Sequence, residues 1–370
     1  MKVELSEIRK KLDKIDTALG ALFCERLDCS AQVAAVKQKS ADGVKKVFDS
    51  AREAQILDRA TAGLTGMGAR AVREQFAGIM RNSRSLQYLA FAEAGKDGLP
   101  AQEEPAKKKR VILQGAEGAY QHVAAKKLFP GLPTVFLGSF GEVFSALEDG
   151  SAGVLPLENS TAGVVGDVFD ALGAAEGIFV NGGLELNISH ALLGRGELSE
   201  VDTVLAHPQA LKQCENFLRA RGMRGVPCTN NAVAAKMVSE SDSRNVAAVC
   251  SEECAELYRL KILQRGISDA AGNTTRFVVL GTRFERVEGA DKLALLFRTA
   301  NRPGALSEVL SVFSFFGVNV LALHSRPVKE TPFEYRFYVE FSGSYADSAV
   351  RALLAQLSCE LPYCRILGTF

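Results

Sequence analysis

A threonine hydroxyl and an arginine guanidinium stand side by side in Gly272-Asn273-Thr274-Thr275-Arg276-Phe277, a polar run that leads into Val278-Val279-Leu280. The run closes a long helical pattern, so a helix is expected to hand over to a strand at this point. Such a junction suits one task, holding a carboxylate while a proton is given to a neighbouring group. Two runs upstream add neutral donors. Leu155-Pro156-Leu157-Glu158-Asn159-Ser160-Thr161-Ala162-Gly163 contributes an amide and two hydroxyls, and His207-Pro208-Gln209-Ala210-Leu211 an imidazole and a second amide. Asn159, Ser160, Thr161 and Gln209 are donors suited to orienting a small polyanion, and backbone N–H groups after Ser160 are expected to bind an anion at a helix start.

A second constellation, Arg9, Arg26, Lys37, Asp49, Arg52, Glu53, Ser83 and Gln87, lies in the first quarter of the chain. Arg26 falls where the apolar stripe that runs through Leu19 and Leu22 calls for an apolar side chain. A charge there must leave the seam or meet an anion, because an unpaired buried charge is expensive. Ser83 and Gln87 are one helical turn apart and share a face.

The elements that position these residues follow from periodicity. Leu5, Ile8, Leu12, Ile15, Leu19, Leu22, Cys29, Val33 and Val36 alternate steps of three and four, which predicts one long helix with a coiled-coil-like stripe. That stripe needs a partner, so the segment is expected to dimerise through it. A second helix is predicted from Asp49, whose carboxylate can cap it, and a third over about 71–92. Residues 94–110, with Gly95, Gly98, Pro100, Pro105 and four consecutive basic residues, have little apolar surface and read as a linker.

Beyond the linker the period changes. Val111-Ile112-Leu113, Val135-Phe136-Leu137, Gly153-Val154-Leu155, Val204-Leu205-Ala206 and Val246-Ala247-Ala248-Val249 are short apolar strands separated by helical stretches, an α/β pattern. Polar residues follow several of them, where open α/β sheets put ligands. The stretch 184–193 reads as a crossover joining two lobes around a cleft. From Lys292 the order becomes βαββαβ, the ferredoxin-like arrangement. The expected layout is a helical domain over 1–93, the linker over 94–110, a two-lobed α/β domain over 111–283 and a ferredoxin-like domain over 290–370.

On these residues the first segment resembles the all-helical chorismate mutases, which work as interlocked dimers. The matching pieces are Leu5 to Lys37, Val47-Phe48-Asp49 with Arg52-Glu53, and Ile79 to Gln87. The resemblance implies that Arg26 and Arg52 grip the substrate carboxylates, with Arg9 arriving from the partner subunit and Ser83 assisting. Lys37 and Gln87 would bond the ether oxygen whose C–O bond breaks, and Asp49 and Glu53 the substrate hydroxyl. Donors aimed at an oxygen that gains charge favour the transition state over the ground state. Ser50 replaces the proline that the family often has in this loop.

The central segment resembles prephenate dehydratase over essentially its whole length, through Gln114 to Tyr120, Leu155 to Val165, His207 to Cys214, and Ile267-Ser268-Asp269 onward to Phe277. The resemblance makes Thr275 the key residue, donating a proton to the departing ring hydroxyl of prephenate or, in a weaker role, only orienting it. Glu158, Asn159, Ser160, Thr161, Gln209, Asn231 and Arg276 are the accompanying substrate-binding residues. Arg276 could equally secure the local fold, and Glu158 could be a structural acceptor. Gln121 stands where the family commonly has serine, and Asn231 where it commonly has threonine.

The last segment resembles the ACT regulatory domains attached to such dehydratases, through Gly304 to Leu310 and Leu323-His324-Ser325-Arg326-Pro327. It implies phenylalanine binding at a subunit interface by Gly304, Ala305, Leu306, His324, Ser325 and Arg326, and feedback inhibition. His324 replaces the usual glutamate, which would weaken the response or tie it to pH, unless it only packs.

Composition fits a multidomain enzyme. The 370 residues exceed one ordinary core, 47% are apolar and 24% charged. A net charge of +1 gives no case for nucleic acid or an anionic membrane. The start, Met1-Lys2-Val3-Glu4-Leu5, lacks the apolar stretch of a signal peptide, so the cytoplasm is the expected compartment. Eight cysteines form no tight framework; Cys24, Cys29, Cys250 and Cys254 read as buried helical thiols, and no metal site is expected. No phosphate loop or dinucleotide fingerprint is present and no cofactor is expected. The reading is a bifunctional enzyme of phenylalanine biosynthesis, as a homodimer or homotetramer. Its alternatives are a dehydratase whose helical head only dimerises, and a small-molecule binding or sensor protein.

Overall fold

The computed structural model of the chain describes residues 4–270, 272–328, 331 and 333–370. Met1 to Val3 of the start, and Ala271 in the run that ends at Phe277, lie outside them. The chain divides into two compact units, Met1–Ala101 with Asp291–Ile366, and Gln102–Ala290 with Leu367–Phe370.

The first unit begins with helices α1 (Leu5–Lys37), α2 (Ser50–Ala60) and α3 (Gly66–Glu93). Asp49 caps α2, its carboxylate accepting from the Arg52 N–H at 2.9 Å. The third helix starts five residues before its predicted beginning. Thr65 at its N-cap and the left-handed φ of 62° at Gly66 set the entry, so the glycines there open the helix rather than break it. Along α1 the whole apolar stripe from Leu5 to Leu22 faces outward, with Leu19 58% and Leu22 63% exposed.

In the second unit the chain runs through β1 (Arg110–Gln114), α4 (Tyr120–Leu128), β2 (Thr134–Leu137), α5 (Phe140–Ala146), β3 (Ser151–Asn159), β4 (Gly163–Val164), α6 (Gly166–Ala174) and β5 (Phe179–Asn187). It then enters a second lobe with β6 (Ala191–Gly194), β7 (Thr203–Ala206), α7 (Pro208–Gln213), α8 (Glu215–Ala220), β8 (Arg224–Pro227), α9 (Asn231–Glu240), β9 (Val246–Cys250), α10 (Glu253–Leu257) and β10 (Lys261–Gln264). It returns to the first lobe as β11 (Thr274–Gly281). The first-lobe sheet has the order β5-β11-β3-β1-β2, with β4 beside β3, and the second-lobe sheet the order β10-β6-β9-β7-β8. The two crossings touch, Ile188 N donating to Asn273 O at 2.7 Å and Ile267 N to His190 O at 3.0 Å. The crossover expected over 184–193 is therefore the gap between β5 and β6.

The ferredoxin-like domain completes the first unit with β12 (Lys292–Arg298), α11 (Ala305–Phe315), β13 (Val320–Pro327), β14 (Tyr335–Ser342), α12 (Ser348–Glu360) and β15 (Tyr363–Thr369), in the strand order β13-β14-β12-β15. The end of β15 belongs to the second unit, where Gly368 and Thr369 pair in parallel with Val180 and Asn181. An all-α segment, a two-lobed α/β segment and a ferredoxin-like α+β segment are thus present in the expected order. No described helix is long and apolar enough to cross a membrane.

Three sequence expectations need correction. No helix leads into Gly272: α10 ends at Leu257, Arg259 turns with a φ of 53°, and β10 and an irregular stretch intervene. Cys24 and Cys29 are exposed on α1, and the buried Cys250 ends a strand rather than lying in a helix. Residues 94–110 are not a loose linker. Asp97 is buried in a bidentate pair with Arg351, at 2.6 and 2.8 Å. In the second unit the Glu103 backbone forms a β-bridge with that of Glu285, and the Glu285 carboxylate pairs with Lys108 at 2.7 Å.

Candidate active site

Strand alternation sets the chemistry of the second unit. On β11 and β3 the facing pairs are Thr275 with Asn159 and Arg276 with Glu158, so the two pairs emerge on opposite faces. Thr275 and Asn159, each 8% exposed, open into a cavity of about 420 Å³ between the lobes. Arg276 instead binds Glu158 at 3.2 Å and packs over the Phe370 ring. Neither residue of that pair lines the cavity, which assigns them to the local fold.

The Asn159 amide is fixed from both ends. Its Oδ1 accepts from the Thr161 N–H at 3.1 Å, the Ala162 N–H at 3.0 Å and the Thr161 hydroxyl at 2.7 Å. Its Nδ2 therefore donates, to Asn273 Oδ1 at 2.7 Å, Thr275 Oγ1 at 2.9 Å and Thr274 O at 3.3 Å. The donation to Thr275 occupies an oxygen lone pair and leaves the hydroxyl proton free for the cavity. The N–H groups after Ser160 are consequently spoken for and do not form the expected anion site; a turn and β4 follow, not a helix. Ser160 ties the loop to β11, accepting from Thr274 N at 3.0 Å.

Other polar groups face the cavity from its wall. The starts of α4, α7 and α9 all face the cavity, through Ala119 to Gln121, His207 to Ala210, and Asn230 with Asn231. Helix N-termini carry partial positive charge, although Gln209 N of α7 already donates to His207 Nδ1 at 3.2 Å and Ala232 N of α9 to Asn230 Oδ1 at 2.8 Å. Among the described residues no Lys, Arg, Asp or Glu lines the cavity, so helix dipoles and neutral side chains supply its polarity. Gln209 lies on the wall, and Asn231 also, its Oδ1 accepting from His207 N at 2.7 Å and so joining two helix starts. Gln121 is buried and donates to Val154 O at 2.6 Å, tying α4 to β3.

Sequence reasoning left out a hydrogen-bonded chain along this wall. Tyr120 OH lies 2.9 Å from His190 Nδ1, His190 Nε2 3.0 Å from Gln213 Oε1, and Gln213 Nε2 donates to Thr161 Oγ1 at 3.0 Å. Burial lowers the His190 pKa, the Gln213 contact opposing it, and burial raises the Tyr120 phenol well above its ordinary value. Both are neutral near pH 7. Asn273 was also missed; its Nδ2 is buried with no partner among the described residues, beside the cavity. Gln213 was findable, being one turn after Gln209 on α7.

In the first unit a second cluster assembles from α1 and α3. Arg26 Nη1 donates to the Ser83 hydroxyl, Lys37 Nζ to Gln87 Oε1 at 3.3 Å, and Gln87 Nε2 to Ser83 O at 3.3 Å. Burial lowers the Lys37 pKa, while Asp49 and Glu53 oppose the shift, so both carboxylates stand within electrostatic reach. Arg52 is exposed and bonds Gln55 at 3.3 Å. Arg9 is not brought in: seventeen residues of helix put it about 26 Å from Arg26 at 1.5 Å per residue.

In the ferredoxin-like domain Gly304, Ala305 and Leu306 line a cavity of about 310 Å³ with Phe333, Tyr335 and Phe337. Gly304 has a φ of 82°, a left-handed conformation suited to glycine at the start of α11. His324, Ser325 and Arg326 lie apart on β13, facing Tyr338, Phe337 and Arg336 of β14, and do not line it.

One unit carries a helical bundle with a cationic cluster and the other a two-lobed sheet pair with a hydroxyl at the crossover, two sites that suit an enzyme of two reactions, an isomerase joined to a lyase. The comparisons agree. Residues 8–88 match chorismate mutase type II and residues 111–285 match prephenate dehydratase. The bifunctional chorismate mutase/prephenate dehydratase of Pseudomonas aeruginosa is 30% identical over 377 residues, 99% of this chain and 97% of that one. Arogenate dehydratase/prephenate dehydratase 2 of Arabidopsis thaliana is 33% identical over 277 residues, 70% of this chain and 72% of that one. The structure of the Arthrobacter aurescens prephenate dehydratase in complex with L-Phe has a TM-score of 0.65 and 27% identity, covering 70% of this chain and 89% of that one. The chain belongs to the bifunctional chorismate mutase/prephenate dehydratase family.

Proposed function

We propose that the cavity between the lobes dehydrates and decarboxylates prephenate with Thr275 as proton donor, and that the cluster on α1, α2 and α3 makes the prephenate. The mutase work is assigned to residues 1–93, the dehydratase work to 111–283 and effector sensing to 290–370. The observation that carries the reading is the bond from Asn159 Nδ2 to Thr275 Oγ1, at 2.9 Å in a cavity walled by three helix starts.

The mutase step is a pericyclic rearrangement in which a C–C bond forms as an ether C–O bond breaks, without a covalent intermediate. The protein has to hold a dianion in its compact conformer and stabilise charge on the ether oxygen. Arg26 and Arg52 take the carboxylates with help from Ser83, Lys37 and Gln87 take the ether oxygen, and Asp49 and Glu53 take the hydroxyl. Arg9 serves the site of a second subunit. The outward stripe from Leu5 to Leu22 supports that arrangement, since its burial requires another copy.

In the dehydratase step the ring hydroxyl leaves as water with the Thr275 proton, and the ring carboxylate leaves as carbon dioxide. Its bonding electrons complete the aromatic ring, and solvent reprotonates Thr275. A free hydroxyl is a weak acid, so the Asn159 donation matters: it stabilises the oxygen as the proton departs. Gln209, Asn231 and the helix starts orient the dianion, while Ser160 and Thr161 brace the loop. Phenylalanine binding at Gly304, Ala305 and Leu306 supplies feedback inhibition, with His324, Ser325 and Arg326 approaching from a neighbouring subunit. The likeness to a dehydratase crystallised with L-Phe supports this.

The test is phenylpyruvate formation from prephenate by wild type and Thr275→Val. Loss in the variant supports the assignment, and full turnover in it refutes the assignment.

A further inference from the structure

We propose that Arg84 is a positioning residue for the mutase step, holding Glu53 from an anchor that the ferredoxin-like domain supplies through Glu360. The proposal rests on the role given to Glu53 above.

The argument starts from α3, which serves two neighbours. Ser83 and Gln87 face the mutase cluster, while Arg84 and Ser85 reach α12. Glu360 ends α12, where the helix dipole is negative, and the last turn holds no basic residue. A carboxylate there, with its side chain 13% exposed, is costly without a cation. Burial raises its pKa and Arg84 opposes that shift.

Arg84 meets it with a fork. Nε donates to Glu360 Oε1 at 2.7 Å and Nη2 to Glu360 Oε2 at 3.1 Å. The remaining arm, Nη1, donates to Glu53 Oε1 on α2. The guanidinium also lies 4.9 Å from the centre of the Phe48 ring, next to the Asp49 cap. A planar group fixed at one end by two bonds cannot swing, so its third bond sets where the Glu53 carboxylate points and leaves Oε2 for the substrate hydroxyl. The mutase site thus takes one of its supports from a domain more than 270 residues further along the chain; Arg84 and Glu360 are 276 positions apart.

The test uses the full chain with Glu53→Gln, Arg84→Met, the double variant, Arg84→Lys and Glu360→Gln. Mutase kcat and KM, dehydratase rate and thermal melt are measured for each. Arg84→Met is expected to lower mutase kcat about tenfold with KM within about twofold, and to add nothing once Glu53 is Gln. Arg84→Lys, with no fork, restores only part of the rate, and dehydratase turnover is unchanged. Independent, multiplying losses in the double variant, or an unaltered mutase kcat in a folded Arg84→Met, overturn the proposal. If Arg84→Met does not fold, Glu360→Gln decides: a fall of about threefold or more supports the anchor, and no change overturns it. An inert Glu53→Gln overturns the proposal through the role assigned to Glu53, a failure distinct from the others.

Discussion

Replacing Thr275 by valine keeps the branched shape and removes one oxygen, so its cost can be worked from the bonds around it. Asn159 Nδ2 has two hydrogens and three acceptors within reach. After the substitution it still has Asn273 Oδ1 at 2.7 Å and Thr274 O at 3.3 Å. The buried amide is not orphaned, which puts the stability loss near the lower end for a lost hydrogen bond, about 1 kcal/mol. In a unit of this size that lowers Tm by about 2–4 °C. Loss of a proton donor costs far more, about 10²- to 10⁴-fold in kcat, or roughly 3–5 kcal/mol of barrier. The two effects are therefore separable. The assay is phenylpyruvate formation at saturating prephenate near neutral pH, with chorismate consumption by the same sample as a control for folding. The expected outcome is a kcat loss of at least about a hundredfold with KM little changed and mutase rate intact, and Thr275→Ser retaining most of the rate. A Thr275→Val enzyme with more than about a tenth of wild-type kcat would refute the proton-donor role and leave Thr275 as an orienting group.

Three further outcomes follow from the same geometry. Lys37 must carry its charge to serve the ether oxygen, and burial lowers its pKa below 10.5, so mutase rate falls as pH rises through that lowered value; Lys37→Arg, charged throughout, removes the alkaline limb at a reduced plateau, and an unchanged limb assigns it to another group. Leu19→Glu puts a charge into the outward stripe of α1 and is expected to reduce both the oligomer seen by light scattering and the mutase rate, while dehydratase turnover survives; an unchanged oligomer refutes the role of the stripe. Gly304→Ala places a Cβ on a left-handed residue with a φ of 82°, costing about 1–2 kcal/mol, and phenylalanine should then inhibit more weakly, whereas an unchanged dose response removes Gly304 from the effector site.

Much of this architecture is legible because the period of the apolar residues changes twice. The stripe from Leu5 to Val36 is a helix, the short apolar runs from Val111 onward are strands, and the order after Lys292 is βαββαβ. Thr275, Asn159, Gln209 and Asn231 were also visible as motif residues, and all four line the cavity. What stayed hidden depends on partners distant in sequence. Asp97 looks like linker polarity until Arg351 meets it, and Arg84 looks like a solvated charge until Glu360 does. Strand alternation sends Arg276 away from Thr275, although adjacency in sequence suggested a shared task. The stretch before Gly272 reads as helical because a short apolar run does not distinguish helix from strand, and the turn at Arg259 decides it. The cavity wall is invisible residue by residue, since the starts of three helices far apart in sequence are brought together on it only by the fold.

The central claim is that one chain runs both reactions in succession at two separate sites. The direct measurement gives purified protein chorismate alone and follows chorismate, prephenate and phenylpyruvate in the same sample, for wild type and Thr275→Val. The account predicts phenylpyruvate from the wild type and accumulation of prephenate by the variant at an undiminished rate of chorismate loss. Untouched chorismate alongside ready conversion of added prephenate would contradict it, leaving the helical segment as a dimerisation module without catalysis.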